Sequence, residues 1–409
     1  MKKPKKNYWE ERSRMSNIPK LRFPEFKGEW EEKKLGECLT LLYGKDWKDK
    51  SSTKKLYPVL GTGGVISYID EFIYDKPCVL IGRKGSINNP VFIDKPFWTV
   101  DTQFYSEIHE GYSPKFLYYI FCTENWSKHD ESTGVPSLSA KNVENTHKHI
   151  PSFPEQQKIA DFLSNVDSII TAETKILNTL QKKKKALMQK LFTRQLRFKS
   201  ADGTDFPAWE EKKFSEVFIY HQTNTFSRNM LNYEEGDTYN IHYGDILVKF
   251  GSYIDFDNSK IPFINSDVTL NKFVSDSFLK DGDIIIADTA EDESAGKVSE
   301  VYNINNKKAL SGLHTILCRP KQIFASKYLG YFMNSNVYHK QIVKLLVGTK
   351  VLSINKSVIA DTIIQIPCLA EQQKIADCLS SMDSLIQTQQ KVVTTWQQRK
   401  KALLQQMFV

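Results

Sequence analysis

The stretch from Pro151 to Thr193, PSFPEQQKIADFLSNVDSIITAETKILNTLQKKKKALMQKLFT, returns as PCLAEQQKIADCLSSMDSLIQTQQKVVTTWQQRKKALLQQMFV from Pro367 to Val409. Each residue of the first copy matches one 216 positions on without a gap. Roughly half of the positions are identical, so any fold for this chain has to be built from two like halves.

Each copy reads as one long helix. Apolar residues at Ile159, Phe162, Val166, Ile169, Ile176, Leu180 and Leu187 advance in steps of three and four, and Leu163, Ile170, Leu177 and Leu191 widen the stripe. The second copy keeps the phase with Ile375, Met382, Leu385, Val392, Trp396 and Leu403, flanked by Leu379, Ile386, Val393 and Met407. Glu173 and Gln389 interrupt the two seams at mid-length, and Lys183 and Arg399 near the ends, so a polar layer there is expected to fix register. Ser152 followed by Glu155 fits a capping box, which the second copy lacks. Without Gly or Pro beyond the first turn, each helix can run for about 40 residues, or ~60 Å at 1.5 Å per residue. Chain order makes the simplest pairing antiparallel, with a globular region at each end of a rod.

The repeat extends to the regions before the helices. LRFPEFKGEWEEKKLGECL opens one at Leu21, and LRFKSADGTDFPAWEEKKFSEVF opens the other at Leu196. A Glu-x-Lys inside both openings is also found in nucleases, but no partner acid stands at a suitable distance in both copies, and a solvated strand start explains it. The expected division is a basic leader over 1–20, a module over 21–150, a helix over 151–193, a second module over 194–366 and a last helix over 367–409. Met15 is an alternative start.

Both modules read as β-rich: short branched-apolar runs alternate with Gly, Asn and Asp turns, as in YPVLGTGGVISYIDEF and GDIIIADT. Helical stretches follow at SPKFLYYIFCTENW and SKYLGYFMNSNVYHKQIVKLL. Arg83, Lys84 and Ser86, around Gly85, with Asn88 and Asn89, put guanidinium, ammonium, hydroxyl and amide groups on a flexible turn that can reach phosphates or base edges, although a plain polar hairpin has the same composition. The closing loops GVPSLSAKN and GTKVLSINK match in position and character, adding Ser137 and Lys141 in one module and Lys350, Ser353, Asn355 and Lys356 in the other, and Lys249 is a further candidate.

With 56 Lys and Arg against 48 Asp and Glu, the chain carries a formal charge of +8, which favours a polyanionic partner. The 6 cysteines form no CxxC pair, consistent with reduced thiols in a cytoplasmic protein, and no segment has the ~18 apolar residues of a membrane span. His147 and His149 lack further ligands for a metal. No phosphate loop, glycine fingerprint for a nucleotide or methyl donor, or nucleophile triad stands in the sequence. Acidic pairs such as Asp281 with Asp283, and the run Glu291 to Glu293, read as solvated turns. The chain reads as a binder: no catalytic, metal or cofactor residues are nominated. Lys182 to Lys185, Arg399, Lys400 and Lys401 fit either phosphate contacts or a solvated helix face.

Two β-rich modules, each closed by Pro-x-x-x-Glu-Gln-Gln-Lys-Ile-Ala, resemble the specificity subunit of type I restriction-modification systems. The resemblance runs from Leu21 to Val409 and rests on the openings at Trp30 and Trp209, LIGRKGSINNP at Leu80, GDIIIADT at Gly282 and the two helix starts. It implies an α+β fold: two tandem target-recognition domains separated by two long helices forming an antiparallel coiled coil, with a pseudo-twofold repeat. It also implies that the modules each read half of a split double-stranded DNA site, that the helices carry methyltransferase subunits, expected to number two, and that restriction and translocation belong to another subunit. A recognition portion of a fused nuclease-methyltransferase and a coiled-coil adaptor without a DNA role are the alternatives.

Overall fold

In a computed structural model, which describes residues 17–409, the two sequence repeats become helices at Phe153–Phe192 and Leu369–Met407. Most of the expected leader, with Met15, lies outside the described residues. The described residues divide into two units, one of residues 17–175 and 390–409 and the other of residues 176–389. Each unit therefore holds one β-rich module, the start of the helix that follows it and the end of the other helix.

The modules share a plan. Glu31–Lys34 pairs antiparallel with His147–Ile150, and Glu210–Lys213 pairs in the same way with Ile363–Ile366, so the opening and closing segments of each module meet just before the long helix. In the first unit the main sheet runs Leu39–Tyr43, Gln103–Ile108, Cys78–Gly82, Val91–Ile93. In the second it runs Phe218–His221, Thr315–Pro320, Ile284–Ala287, Val298–Tyr302, with Tyr253–Asp255 added at the far edge. The inner strands CVLIG and IIIA are buried at every position, as their unbroken apolar runs require. Each unit has a smaller second sheet, Gly64–Ile69, Tyr57–Gly61, Trp98–Thr99 in the first and four strands from Leu231 to Ser311 in the second.

The long helices pair antiparallel within each unit. Lys400 meets Asp167 at 2.6 Å in the first, and Lys184 meets Asp383 at 2.5 Å in the second. The tail of one helix completes the core of the module that precedes the other: Phe408 stacks on Phe116 at 5.4 Å, and Phe192 packs edge-on against Phe332 at 5.6 Å. Phe192 and Phe408 are equivalent residues of the repeat.

Several expectations are corrected. Ile159, Val166 and Ile375 are buried, and Ile169, Leu180, Leu187, Met382, Val392, Trp396 and Leu403 are half-buried, but Phe162, Ile176 and Leu385 are exposed. The deeper column is the flanking one: Leu163, Leu177, Leu191, Leu379, Val393 and Met407 are all buried. The face turns because each helix packs against a module as well as against its partner; Phe23, for example, meets Phe162 edge-on at 5.8 Å. Lys183 and Arg399 point to solvent, and the polar layer falls one residue later, at Lys184 and Lys400, within the deeper column. No capping box forms at Ser152, because the Glu155 carboxylate is engaged by Arg22 and Trp30. The stretch from Tyr328 breaks into Tyr328–Met333 and Asn336–Val343, since the Ser335 hydroxyl caps a new helix and the Asn334 amide bonds the backbone of Val298. Asp283 is no solvated turn residue: it is fully buried, with both oxygens held by Arg319 at 2.8 Å.

Candidate nucleic-acid interface

In the first unit the strand Cys78–Gly82 runs out of the core directly into the Arg83 turn. A side chain at Gly82 would sit 2.6 Å from the Ser86 carbonyl and 3.2 Å from Thr62, and Gly85 has φ +86, so both positions require glycine. The turn is tied down on both sides. Arg83 and Lys84 donate their backbone N–H groups to the Thr102 carbonyl at 2.8 and 3.1 Å, Gly85 donates to Pro136 at 2.8 Å, and Leu138 donates to Arg83 at 2.9 Å. Lys84 and Ser137 thereby form a β-bridge. The closing loop is shaped by Asp130, which accepts from the backbone of Ser132 and Ser137 and from the Ser132 hydroxyl; these bonds hold its carboxyl below the usual range.

Arg83 lies 5.5 Å from the Tyr43 ring and donates to the Asp101 carbonyl at 3.1 Å, while Tyr43 rests edge-on against Phe104 at 4.9 Å. Lys84 and Ser86 are exposed beside it. The structure thus brings Arg83, Lys84, Ser86 and Ser137 together, next to Thr62 at the tip of the Gly61–Gly64 hairpin. Asn88 is directed elsewhere, its side chain bonding Ser127. Asn89 is exposed in the turn, and Lys141 is exposed on the short helix Ala140–Glu144. Val65, Ile66 and Tyr68 leave 54%, 56% and 46% of their surface open along the hairpin's outer strand. Sequence pattern did not mark them, because apolar residues on a strand read as buried whichever face they take.

The second unit repeats the exit with other chemistry. Ile284–Ala287 leads into Asp288 and then Thr289–Ala290, which pairs with Leu352–Ser353 of the closing loop. Where the first unit has Arg83 and Lys84, this one has Asp288 and Thr289, followed by exposed Glu291, Asp292 and Glu293. Asp288 faces His314 at 3.3 Å, and His314 meets Tyr243 edge-on at 5.3 Å. Ser353 is occupied by backbone pairing with Val347, and the Asn355 side chain caps Lys356–Ile359 by accepting from Ser357 and Val358. Lys350 is exposed on a tight turn at Gly348, φ +133, and the Lys356 ammonium lies 5.6 Å from the Tyr220 ring.

Cationic groups of this unit also gather around Tyr233: the ammonium groups of Lys249 and Lys260 lie 4.7 and 5.2 Å from its ring. Lys249 reaches the buried Asp245 at 2.9 Å, and Arg228 reaches the other oxygen of that carboxylate at 2.7 Å. His242, buried at the N-cap of the helix Tyr243–Val248 that carries Asp245, accepts from the Gly244 N–H; burial, then the nearby Arg228, pushes its pKa down to about 4. Arg228, Tyr233 and Asp245 carry no periodic or motif signal, and only the fold assembles them.

Among the described residues no His, Cys, Asp or Glu cluster could hold a metal ion, and no helix is long and apolar enough to cross a membrane. The cysteines are all free.

The family model described as "Type I restriction modification DNA specificity domain" matches residues 27–182 and 208–395. The MjaVIII specificity subunit, a type I restriction enzyme component of Methanocaldococcus jannaschii, is 26% identical over 409 aligned positions, covering 94% of this chain and 92% of that protein. The putative MjaX specificity subunit of the same organism is 26% identical over 308 positions, covering 71% and 66%. The fold is similar to that of the type I S subunit from M. genitalium, with TM-score 0.58, 15% identity and coverage of 96% and 99%. It is also similar to a chain in a structure concerned with assembly and conformational transition of the type I R-M system, with TM-score 0.51, 15% identity and coverage of 93% and 97%.

Proposed function

Given that this chain belongs to the type I restriction-modification DNA specificity family, we propose that its two modules each read one half of a bipartite duplex DNA target and thereby direct partner subunits to it. The chain contributes recognition and no catalytic step. Its partners are methyltransferase subunits, two per chain to match the twofold repeat, and restriction and translocation subunits.

One observation carries this reading. Two sheets that share a four-strand order each deliver an inner strand to the closing loop of its own module, yet the exits present Arg83 and Lys84 in one unit and Asp288 and Thr289 in the other. A shared scaffold with divergent loop chemistry suits two readers of different sequence, because scaffold contacts position a reader and loop side chains specify the bases. Arg83 has the fork that pairs with guanine edges, and Lys84 and Lys141 are suited to phosphates.

The test is a methylation map of cells expressing the chain with its methyltransferase. A split target supports the reading. A continuous target, or DNA binding by the chain that does not weaken with salt, contradicts it.

A further inference from the structure

We infer that Arg228 is a base-reading residue of the second module, that it recognises the O6 and N7 edge of a guanine, and that Asp245 is its positioning residue. This rests on the reading above and extends it to a residue that the sequence did not mark.

Asp245 is fully buried; its carboxylate accepts a hydrogen bond from Arg228 on one oxygen at 2.7 Å, and the Lys249 ammonium stands 2.9 Å from the other as an ion pair. The cations keep 46% and 47% of their side-chain surface open. Two cations on one carboxylate leave a net positive charge facing solvent, which suits a polyanion. His242 does not add to it, because burial keeps its imidazole neutral at physiological pH.

The geometry favours a base edge for Arg228 and phosphate for the lysines. One end of the guanidinium is fixed by Asp245, which leaves further donors of the planar fork for a second acceptor pair. A methyl group at Gly244 would lie 3.2 Å from the Arg228 Nη2, so the glycine lets the fork lie close against the helix start. A guanidinium held in this way loses little freedom on pairing with the two acceptors of guanine. Lys249 and the exposed Lys260 flank the Tyr233 ring as flexible point charges, the chemistry of backbone contacts. The neighbouring strip of Tyr243, His314, Asp288 and Thr289 joins this cluster to the closing loop at Ser353.

The experiment maps methylation in cells carrying the methyltransferase and the wild-type chain, Arg228→Lys, Asp245→Asn or Lys260→Ala, with thermal unfolding of each purified protein. Arg228→Lys keeps the charge and loses the fork. We expect one guanine position of one half-site to relax by roughly 5- to 150-fold in preference, with the other half-site unchanged. Asp245→Asn should relax the same position. Lys260→Ala should lower methylation of all sites alike and leave the sequence as it was. If Arg228→Lys melts like wild type and its map keeps the same preference at every position, or changes both half-sites, the assignment is wrong. A wild-type map without a split site would instead overturn the two-reader function itself. Should Asp245→Asn fail to fold, Arg228→Lys still decides between these outcomes.

Discussion

Lys184 donates to the Asp383 carboxylate at 2.5 Å, and the residues 216 positions away from each, Lys400 and Asp167, form the same bond at 2.6 Å. In both units a tyrosine hydroxyl completes the group: Tyr331 donates to Asp383 at 2.6 Å and Tyr119 to Asp167 at 2.8 Å. Each lysine also lies over that tyrosine's ring, at 5.1 and 5.5 Å. A lysine in the apolar column of one helix therefore has its partner at a single height on the other, which is how a polar residue in a seam fixes register.

Truncating one partner leaves a half-buried charge with less compensation. Lys184→Ala should cost about 1–3 kcal/mol, and adding Asp383→Ala should restore part of it. Alanine at Lys182, Lys183 or Lys185, all exposed, should stay within ~0.5 kcal/mol. Denaturation midpoints of the four single mutants and the double mutant check the ranking.

A second prediction concerns the start of each long helix. Glu155 takes Arg22 on both oxygens at 2.7 and 2.8 Å, with the Trp30 indole at 3.3 Å; Glu371 takes Arg197 at 3.0 and 2.7 Å, with Trp209 at 2.9 Å. Glu371→Gln removes the charge that both donors were built around, and should destabilise the second unit by about 3–5 kcal/mol. Circular dichroism melts of Glu371→Gln and Glu155→Gln should show losses of similar size, because the two sites are equivalent.

Acid and base should act on the second unit through different groups. The folded pKa of His242 is about 4, below its unfolded value, so its contribution is complete above about pH 6.5 and is lost as pH falls towards 4. Burial, offset in part by bonds from the Gly330 and Lys327 backbone, pushes Glu300 up to about 7. Its contribution is therefore complete below about pH 4.5 and is lost as pH rises through 7. Because the two windows overlap with opposite sign, the contributions offset each other in the wild type; in stability measured from pH 4 to 8, His242→Asn should expose a fall between about pH 4.5 and 7, and Glu300→Gln a rise between about pH 4 and 6.5.

At the first module's turn, Lys84→Ala should lower affinity for all duplexes and reduce the salt slope by roughly one charge, about 0.9 in log–log units. Arg83→Ala should relax one position of one half-site by roughly 1–3 kcal/mol. Binding to duplexes varied one position at a time, at two salt concentrations, distinguishes the two effects.

The repeat was the most legible part of the sequence, and the identical polar residues within it carry more than the apolar stripe did. Gln156 and Gln372 show why: each accepts a module's backbone N–H, from Ser113 at 3.0 Å and Ala325 at 2.9 Å, and donates to the proline before its helix, Pro151 or Pro367. A glutamine kept in both copies pointed to a bond, but its partner lies some 45 residues away in the chain and no periodicity reveals it. Periodicity did locate both helices. It could not choose between neighbouring columns, which is why Phe162 and Leu385 were placed inward and Leu163 and Leu379 only on the flank. Within the modules, glycine spacing marked the Arg83 turn because Gly82 and Gly85 are sterically required there. The Arg228 cluster was hidden, since a buried aspartate and a half-exposed arginine 17 residues apart look like any other charges.

Exchange of one module shows whether each module reads its own half-site. Residues 21–150 would be replaced by the corresponding module of a relative with a different target, leaving both long helices and the second module intact, and the methylated sequence mapped in cells with the same methyltransferase. Independent reading by the two modules predicts that one half-site takes the donor's sequence and the other stays as it was. A map in which both half-sites change, or neither does in a protein that still assembles, would contradict it.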